Sequence, residues 1–295
     1  MDATQTTTEA MPLALARQLE AFPTNVSASD IGLFGYREGV AAIGEVIPVV
    51  LLHGIGSGSA SWVHQLAALS QSRRVIAWDT PGYGETAPVR PQFPVAGDYS
   101  AALTAALQAL GIDRCILVGH SLGAIIAAAY AREKPSNVAG LMLISPANGY
   151  AAADPEVRAT KRDARLSMLD ELGPRGLADQ RGGNMLSAHA SEEARAWVKW
   201  NMARVISSGY RQATHLLANA NLSGDLALFQ GRVQVVVGQD DVITPPAACR
   251  RVAEAAQTGL NIIPQAGHAG YVELPEVYTA SIEQFCRRCE GRRET

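Results

Sequence analysis

One serine, one histidine and a pair of aspartates stand in this 295-residue chain where acyl-transfer chemistry would need them. Ser121 is the centre of Gly119-His120-Ser121-Leu122-Gly123, a G-x-S-x-G pentapeptide. A serine hydroxyl is a weak nucleophile until a base takes its proton. The candidate base is His268, in the late stretch Gln265-Ala266-Gly267-His268-Ala269-Gly270. A carboxylate must then fix the imidazole tautomer and stabilise the imidazolium, and Asp240 and Asp241 follow the apolar run 233–237. A tetrahedral intermediate also needs backbone N–H donors. Leu122, directly after the serine, is the first candidate, and Ile55 in His53-Gly54-Ile55-Gly56-Ser57-Gly58 is the second. Loss of one such donor typically costs about 3 to 4 kcal/mol of transition-state stabilisation.

These groups act only if folding brings them together. The apolar run 115–118, the pentapeptide and the small-residue stretch 124–131 read strand, sharp turn, helix, a context in which a serine projects above a sheet. Glycines two residues either side of it let strand and helix backbones pass closely. The run 49–52 leads into the 53–58 loop, 233–237 into the aspartates, and 260–263 into the histidine stretch. With 75–78 and 141–144, these runs alternate with helical stretches, which predicts a parallel sheet buried on both faces. Upstream, 31–36 and 41–46, punctuated by Gly39, Gly44 and Pro48, predict two further strands and an antiparallel edge. The first thirty residues read as a polar start, a short helix over 13–22 and a polar connector over 23–30.

Between Pro146 and Phe229 the alternation stops and amphipathic helices take over. Asp154-Pro155 starts one that Gly173-Pro174 ends, Ser191-Glu192-Glu193 opens a second to about residue 206, and a third spans 210–220. Inserted after the sixth strand, such a segment would roof Ser121. The expected pocket residues are Gly56, His120, Trp197 and Trp200, although the two tryptophans also fit plain packing of the insertion on the core. Residues 151–225 hold ten Lys or Arg and nine Asp or Glu, a balance that gives no vote for an anionic substrate. His53 reads as a structural residue of its loop, and His64, His189 and His215 lack metal-ligand spacing.

On these motifs the chain resembles the α/β-hydrolase fold superfamily, in its branch of serine hydrolases with a helical cap. The likeness covers most of the chain. It extends to Asp79-Thr80-Pro81-Gly82-Tyr83-Gly84, similar to the family's D-x-P-G-x-G turn, and to Gly267-His268 with Glu273 and Pro275 behind it. The order serine, aspartate, histidine is that of this fold. The resemblance implies a mostly parallel eight-stranded sheet flanked by helices, with a core at 31–146 and 230–295, a helical cap at 147–229 and an N-terminal extension at 1–30. Counting a G-x-x-D turn from Gly238, it selects Asp241 over Asp240, and it makes Asp79 a turn residue. The implied activity is hydrolysis of a small carboxylic ester or lactone through an acyl-enzyme, with neither cofactor nor metal. A serine at the turn differs from the aspartate of haloalkane dehalogenases and most epoxide hydrolases. Carbon–carbon hydrolysis of meta-cleavage products is the alternative: His53-Gly54 with Gly56, Gly58 and Trp62 is similar to that group's loop, whereas His120, Leu122 and Ala269 depart from its pattern. Ligand receptors and cofactor-free oxygenases on the same fold form a further class.

Composition fits a large domain with an insertion: 47% of residues are hydrophobic and 18% charged. A formal net charge of -3 gives no basic footprint for nucleic acid. No apolar stretch approaches the roughly 18 to 20 residues of a membrane span, and Met1-Asp2-Ala3-Thr4 opens without a basic region or apolar signal core. The expectation is a cytoplasmic protein that acts on a small molecule, away from membranes. Cys115, Cys249, Cys286 and Cys289 show no disulfide framework, and Cys286-x-x-Cys289 has no second pair with which to hold zinc.

Overall fold

The computed structural model describes residues 11–41 and 46–291. In chain order the first elements are α1 (Leu13–Glu20), β1 (Asn25–Ser29), β2 (Gly32–Gly39), β3 (Val49–Leu52), α2 (Val63–Leu69), β4 (Val75–Trp78), α3 (Ala96–Ala109) and β5 (Cys115–His120). There follow α4 (Leu122–Glu133), β6 (Val138–Ile144), α5 (Pro155–Arg181), α6 (Glu192–Ala203), α7 (Ser207–Asn219) and α8 (Leu222–Leu226). The chain closes with β7 (Val233–Gly238), α9 (Pro246–Ala255), β8 (Leu260–Ile263), α10 (Gly270–Glu273) and α11 (Pro275–Cys289).

The eight strands form one sheet in the order β1-β2-β4-β3-β5-β6-β7-β8. The pairs from β4 to β8 are parallel, and β2 is antiparallel to β1 and β4. Side chains alternate between the faces of a strand, and the apolar runs obey that period of two. Val50, Leu52 and Leu117 pack on one face in a cluster with residues of α3 and α4, while Val49, Leu51, Ile116 and Val118 join α1, α2 and α11 on the other. Every residue from Val49 to Leu52 is fully buried, so the runs are apolar throughout because both faces are covered.

Eight strands are thus present as expected, but one of them comes from elsewhere. The polar connector expected over 23–30 is β1, an edge strand whose Val26 side remains half exposed. Residues 42–45, the middle of the strand expected at 41–46, lie outside the described residues. The short helix expected at 13–22 is α1, and Leu15 and Leu19 fix it to the core.

Register explains the placement of the loops. Leu52 pairs with Gly119, His120 with Ile144, Val236 with Ile144 and Gly238 with Ile263, so the carboxyl ends of β3, β5, β6, β7 and β8 share one edge. In an open parallel sheet that edge is where ligands bind. The four helices α5–α8 all fall between β6 and β7. Gly173, at φ 62° and ψ 178°, interrupts α5 with Pro174 next to it, so the stop expected there is a sharp kink. Ser191 caps α6 as its position suggested, accepting a hydrogen bond from the Ala194 amide at 3.1 Å.

Candidate active site

The turn from β5 into α4 is tight enough to dictate its residue types. Ser121 sits at φ 52° and ψ −111°, a left-handed conformation that is costly for a side-chain-bearing residue and marks functional sites. Its amide donates to the Ile144 carbonyl at 3.0 Å, which fastens the turn to β6. A Cβ on Gly123 would stand 2.3 Å from the Leu52 carbonyl oxygen, and one on Gly119 2.6 Å from that of Gly123. Both glycines of the pentapeptide are therefore required by the close passage of β3, β5 and α4.

His268 and Asp241 lie on the loops after β8 and β7. The His268 Nδ1–H donates to Asp241 Oδ2 at 2.9 Å, and both side chains are almost wholly buried. Asp241 Oδ1 accepts from the amides of Ile243 and Thr244, each at 2.8 Å. The Thr244 hydroxyl lies 2.8 Å from Asp241 Oδ2, 3.1 Å from His268 Nδ1 and 3.0 Å from the Ser145 carbonyl oxygen, bracing the pair. Burial alone would raise the Asp241 carboxyl. The facing imidazole and the hydrogen bonds from His268 and Thr244 outweigh burial and bring it down to about 2. Asp240 is exposed, so of the two aspartates only Asp241 faces the histidine.

Ser121, Leu122 and His268 line one cavity of about 430 Å³, together with Ile55 and Gly56 from the loop after β3. That loop is held from below. His53 Nε2 accepts from the Thr80 amide at 3.1 Å, which leaves its Nδ1–H for the Gly54 carbonyl at 2.8 Å. Burial pushes the His53 imidazole below its usual range, consistent with this neutral tautomer. Asp79 Oδ1 accepts from the Ser59 amide at 2.7 Å, so Asp79 shapes the turn and stays behind the cavity wall. Tyr83 donates its buried hydroxyl to the Ile55 carbonyl oxygen at 2.7 Å and so fixes which way the 55–56 peptide unit faces.

His120 also lines the cavity, and its Nε2–H donates to the His268 carbonyl at 3.0 Å. Burial and then the His268 charge push it well below its ordinary value, so it stays neutral while steadying the histidine loop. Trp197 and Trp200 are placed differently from the expectation. They stack on each other at 4.9 Å, Trp197 is fully buried in the core cluster, and neither lines the cavity. At about 100° per residue, α6 instead turns Val198, Asn201 and Met202 inward, roughly a third of a turn away. A Cβ on Gly56 would stand 2.9 Å from the Met202 methyl, so this glycine makes room for the inserted helix.

Residues 47–275 match the model of the alpha/beta hydrolase fold family. The chain belongs to that family. The hydrolase is 29% identical over 255 residues to a Variovorax paradoxus protein named carbamate hydrolase RutD, covering 81% of this chain and 91% of the relative. A Klebsiella pneumoniae protein of the same name is 31% identical over 239 residues, covering 75% and 84%. Among solved structures, an esterase from Thermogutta terrifontis superposes with a TM-score of 0.79 at 24% identity, over 90% of this chain and 99% of that one. The enol-lactonase from Burkholderia xenovorans gives 0.78 at 23%, over 88% and 99%. At such identities these two structures establish the fold alone.

Several residues of the hydrolase site were silent in the sequence. Thr244 and Tyr83 work through contacts 24 and 28 residues away, and no local pattern announces them. Glu273, read only as part of a motif, accepts from the Gly267 amide at 2.8 Å and from the Ser187 amide and hydroxyl, tying the histidine loop to the insertion. Among the described residues, no three His, Cys, Asp or Glu side chains gather as a metal site would require, and no helix is long and apolar enough to cross a membrane.

Proposed function

We propose that this hydrolase cleaves a small carboxylic ester or lactone by a serine mechanism. The observation that carries the reading is the strained Ser121, set at the mouth of β5 in the same cavity as a histidine whose Nδ1 is locked onto a buried aspartate. His268 takes the Ser121 proton as Oγ attacks the carbonyl, and Asp241 stabilises the imidazolium that results. The amides of Ile55 and Leu122 hold the developing oxyanion. Leu122 heads α4, where the helix dipole favours negative charge. His268 then protonates the departing alcohol, and the acyl-enzyme is hydrolysed by a water that the same imidazole activates. Residues 147–229 act as the cap, roofing the cavity through α5, α6 and α7.

A carbamate carbonyl is open to the same attack, and the names of the RutD relatives support a carbamate as the second reading. The test is a paired kinetic screen of wild type and Ser121→Ala with p-nitrophenyl esters of increasing acyl length, a small carbamate and a dienoate ring-cleavage product. The expected result is turnover of short esters that falls by about four to six orders of magnitude in the variant. Near wild-type hydrolysis by Ser121→Ala would exclude the mechanism, and preference for the dienoate would move the substrate to a carbon–carbon bond.

A further inference from the structure

The near-neutral charge of residues 151–225 conceals a sorting of that charge in space. On the outer surface, Asp163 pairs with Arg162, Asp170 with Arg211, Asp179 with Lys199 and Glu192 with Arg195. On the inner surface, Arg165 and Arg181 of α5 both line the catalytic cavity, with Arg251 of α9 also on its wall. No Asp or Glu is among the described residues that line it. Neither arginine of α5 has a carboxylate partner there: Arg165 Nη1 donates to the Tyr210 hydroxyl at 3.2 Å, and Arg181 Nη1 lies 3.9 Å from Met168 Sδ. A guanidinium carries five N–H donors, so most of both forks are left unused.

Their convergence depends on the kink. Sixteen residues of straight helix would set them roughly 24 Å apart along the axis. The break at Gly173-Pro174 turns α5 back, so that a residue from each arm reaches one cavity. The two charges sense each other: after burial, Arg165 is the largest influence that lowers the Arg181 guanidinium. Like charges held together in a half-enclosed space, without a counter-ion, favour an anion that can sit between them.

We propose that Arg165 and Arg181 form a subsite for a carboxylate carried by the substrate, which makes the preferred substrates short esters or lactones with a second, free carboxylate remote from the scissile carbonyl. The subsite rests on Ser121 being the nucleophile only for its role in selectivity; its binding of an anion stands apart from catalysis. The cavity supports a small substrate of mixed character, since Leu122, Val198, Met202 and Leu217 add apolar wall to its polar groups.

The experiment has a binding arm and a kinetic arm. Calorimetry measures glutarate and inorganic phosphate binding to wild type, Ser121→Ala, Arg165→Met, Arg181→Met and Arg181→Lys, each checked for its fold by circular dichroism. The kinetic arm compares the mono-p-nitrophenyl ester of glutarate with neutral p-nitrophenyl butyrate. Glutarate should bind wild type and Ser121→Ala equally and phosphate less well, with about 10- to 100-fold weaker glutarate binding in each methionine variant and partial recovery in Arg181→Lys. The kcat/KM loss should be at least 10-fold greater on the anionic ester than on butyrate, carried mainly by KM. Equal losses on both esters, glutarate binding indifferent to either arginine, or a preference for phosphate would each overturn the proposal. If wild type hydrolyses neither ester while glutarate binding still needs the arginines, the subsite stands and the reading of the substrate as an ester falls.

Discussion

At the scale of single residues, hydrogen bonds and burial set the protonation states of the groups around His268. Asp241 is the clearest case. Its folded value of about 2 lies below the ordinary carboxylate value of 3.8, so ionised Asp241 stabilises the fold at all pH values above the unfolded value, and that contribution fades as pH falls toward 2. The difference between these values corresponds to about 2 kcal/mol. In chemical denaturation of wild type and Asp241→Asn, the stability gap should be constant above about pH 5 and shrink steadily below pH 4. The variant should also lose about 10⁴-fold in kcat at neutral pH, because an amide no longer enforces the tautomer. Tyr83 offers a subtler test. Tyr83→Phe leaves the Ile55 carbonyl unsatisfied and frees the 55–56 peptide, which adjoins the one that carries the proposed Ile55 donor, so kcat should fall by roughly 10-fold or more while KM changes little, as expected of a donor used mainly in the transition state. A purely structural role would lower the melting temperature without that split.

At the scale of elements, β3, β5, β7 and β8 bring four short loops to one edge, and α5–α7 add residues to the wall of the cavity there. The insertion docks on the core through a backbone contact: a Cβ on Gly209, in the first turn of α7, would stand 1.9 Å from the Gly82 carbonyl oxygen. Gly82 itself is at φ 82° in the turn after β4, a conformation that suits glycine. Gly209→Ala should therefore lift α7 off this turn, destabilising by about 1 to 3 kcal/mol and raising KM. Thermal melting and steady-state kinetics check it, and an unchanged KM would separate this contact from the shape of the cavity. The elements that made the site readable are those with local signatures: the apolar runs, the glycines of the elbow and the turn beginning at Gly238. β1 was not readable, since Asn-Val-Ser-Ala-Ser is polar and becomes a strand by pairing with β2 at an edge. The sequence of α6 does not name the neighbours of each face, so Trp197 and Trp200 fit both the pocket and packing of the insertion on the core, and it is the packing that they adopt. Gly173-Pro174 read as an end of helix, and only in three dimensions does it fold α5 back on itself.

At the scale of the whole molecule, the sheet divides labour by edge. Burial on both faces holds the strands rigid, and the loops at their carboxyl ends are free to carry the proposed chemistry without having to stabilise the core. Within the insertion charge follows a similar division, with the ion pairs of Asp163, Asp170, Asp179 and Glu192 outside and Arg165 and Arg181, without carboxylate partners, within. A sum over residues 151–225 cannot reveal this, because it depends on which face each helix presents. The central claim, that the assembled site makes an acyl-enzyme on Ser121, is tested most directly by acid-quenching the full chain during turnover of a p-nitrophenyl ester and mapping the adduct by peptide mass spectrometry. The account predicts a single acyl group on the peptide that contains Ser121, absent from Ser121→Ala and formed far more slowly in His268→Ala. An adduct on a different residue, or rapid turnover with no adduct and no effect of Ser121→Ala, would contradict it.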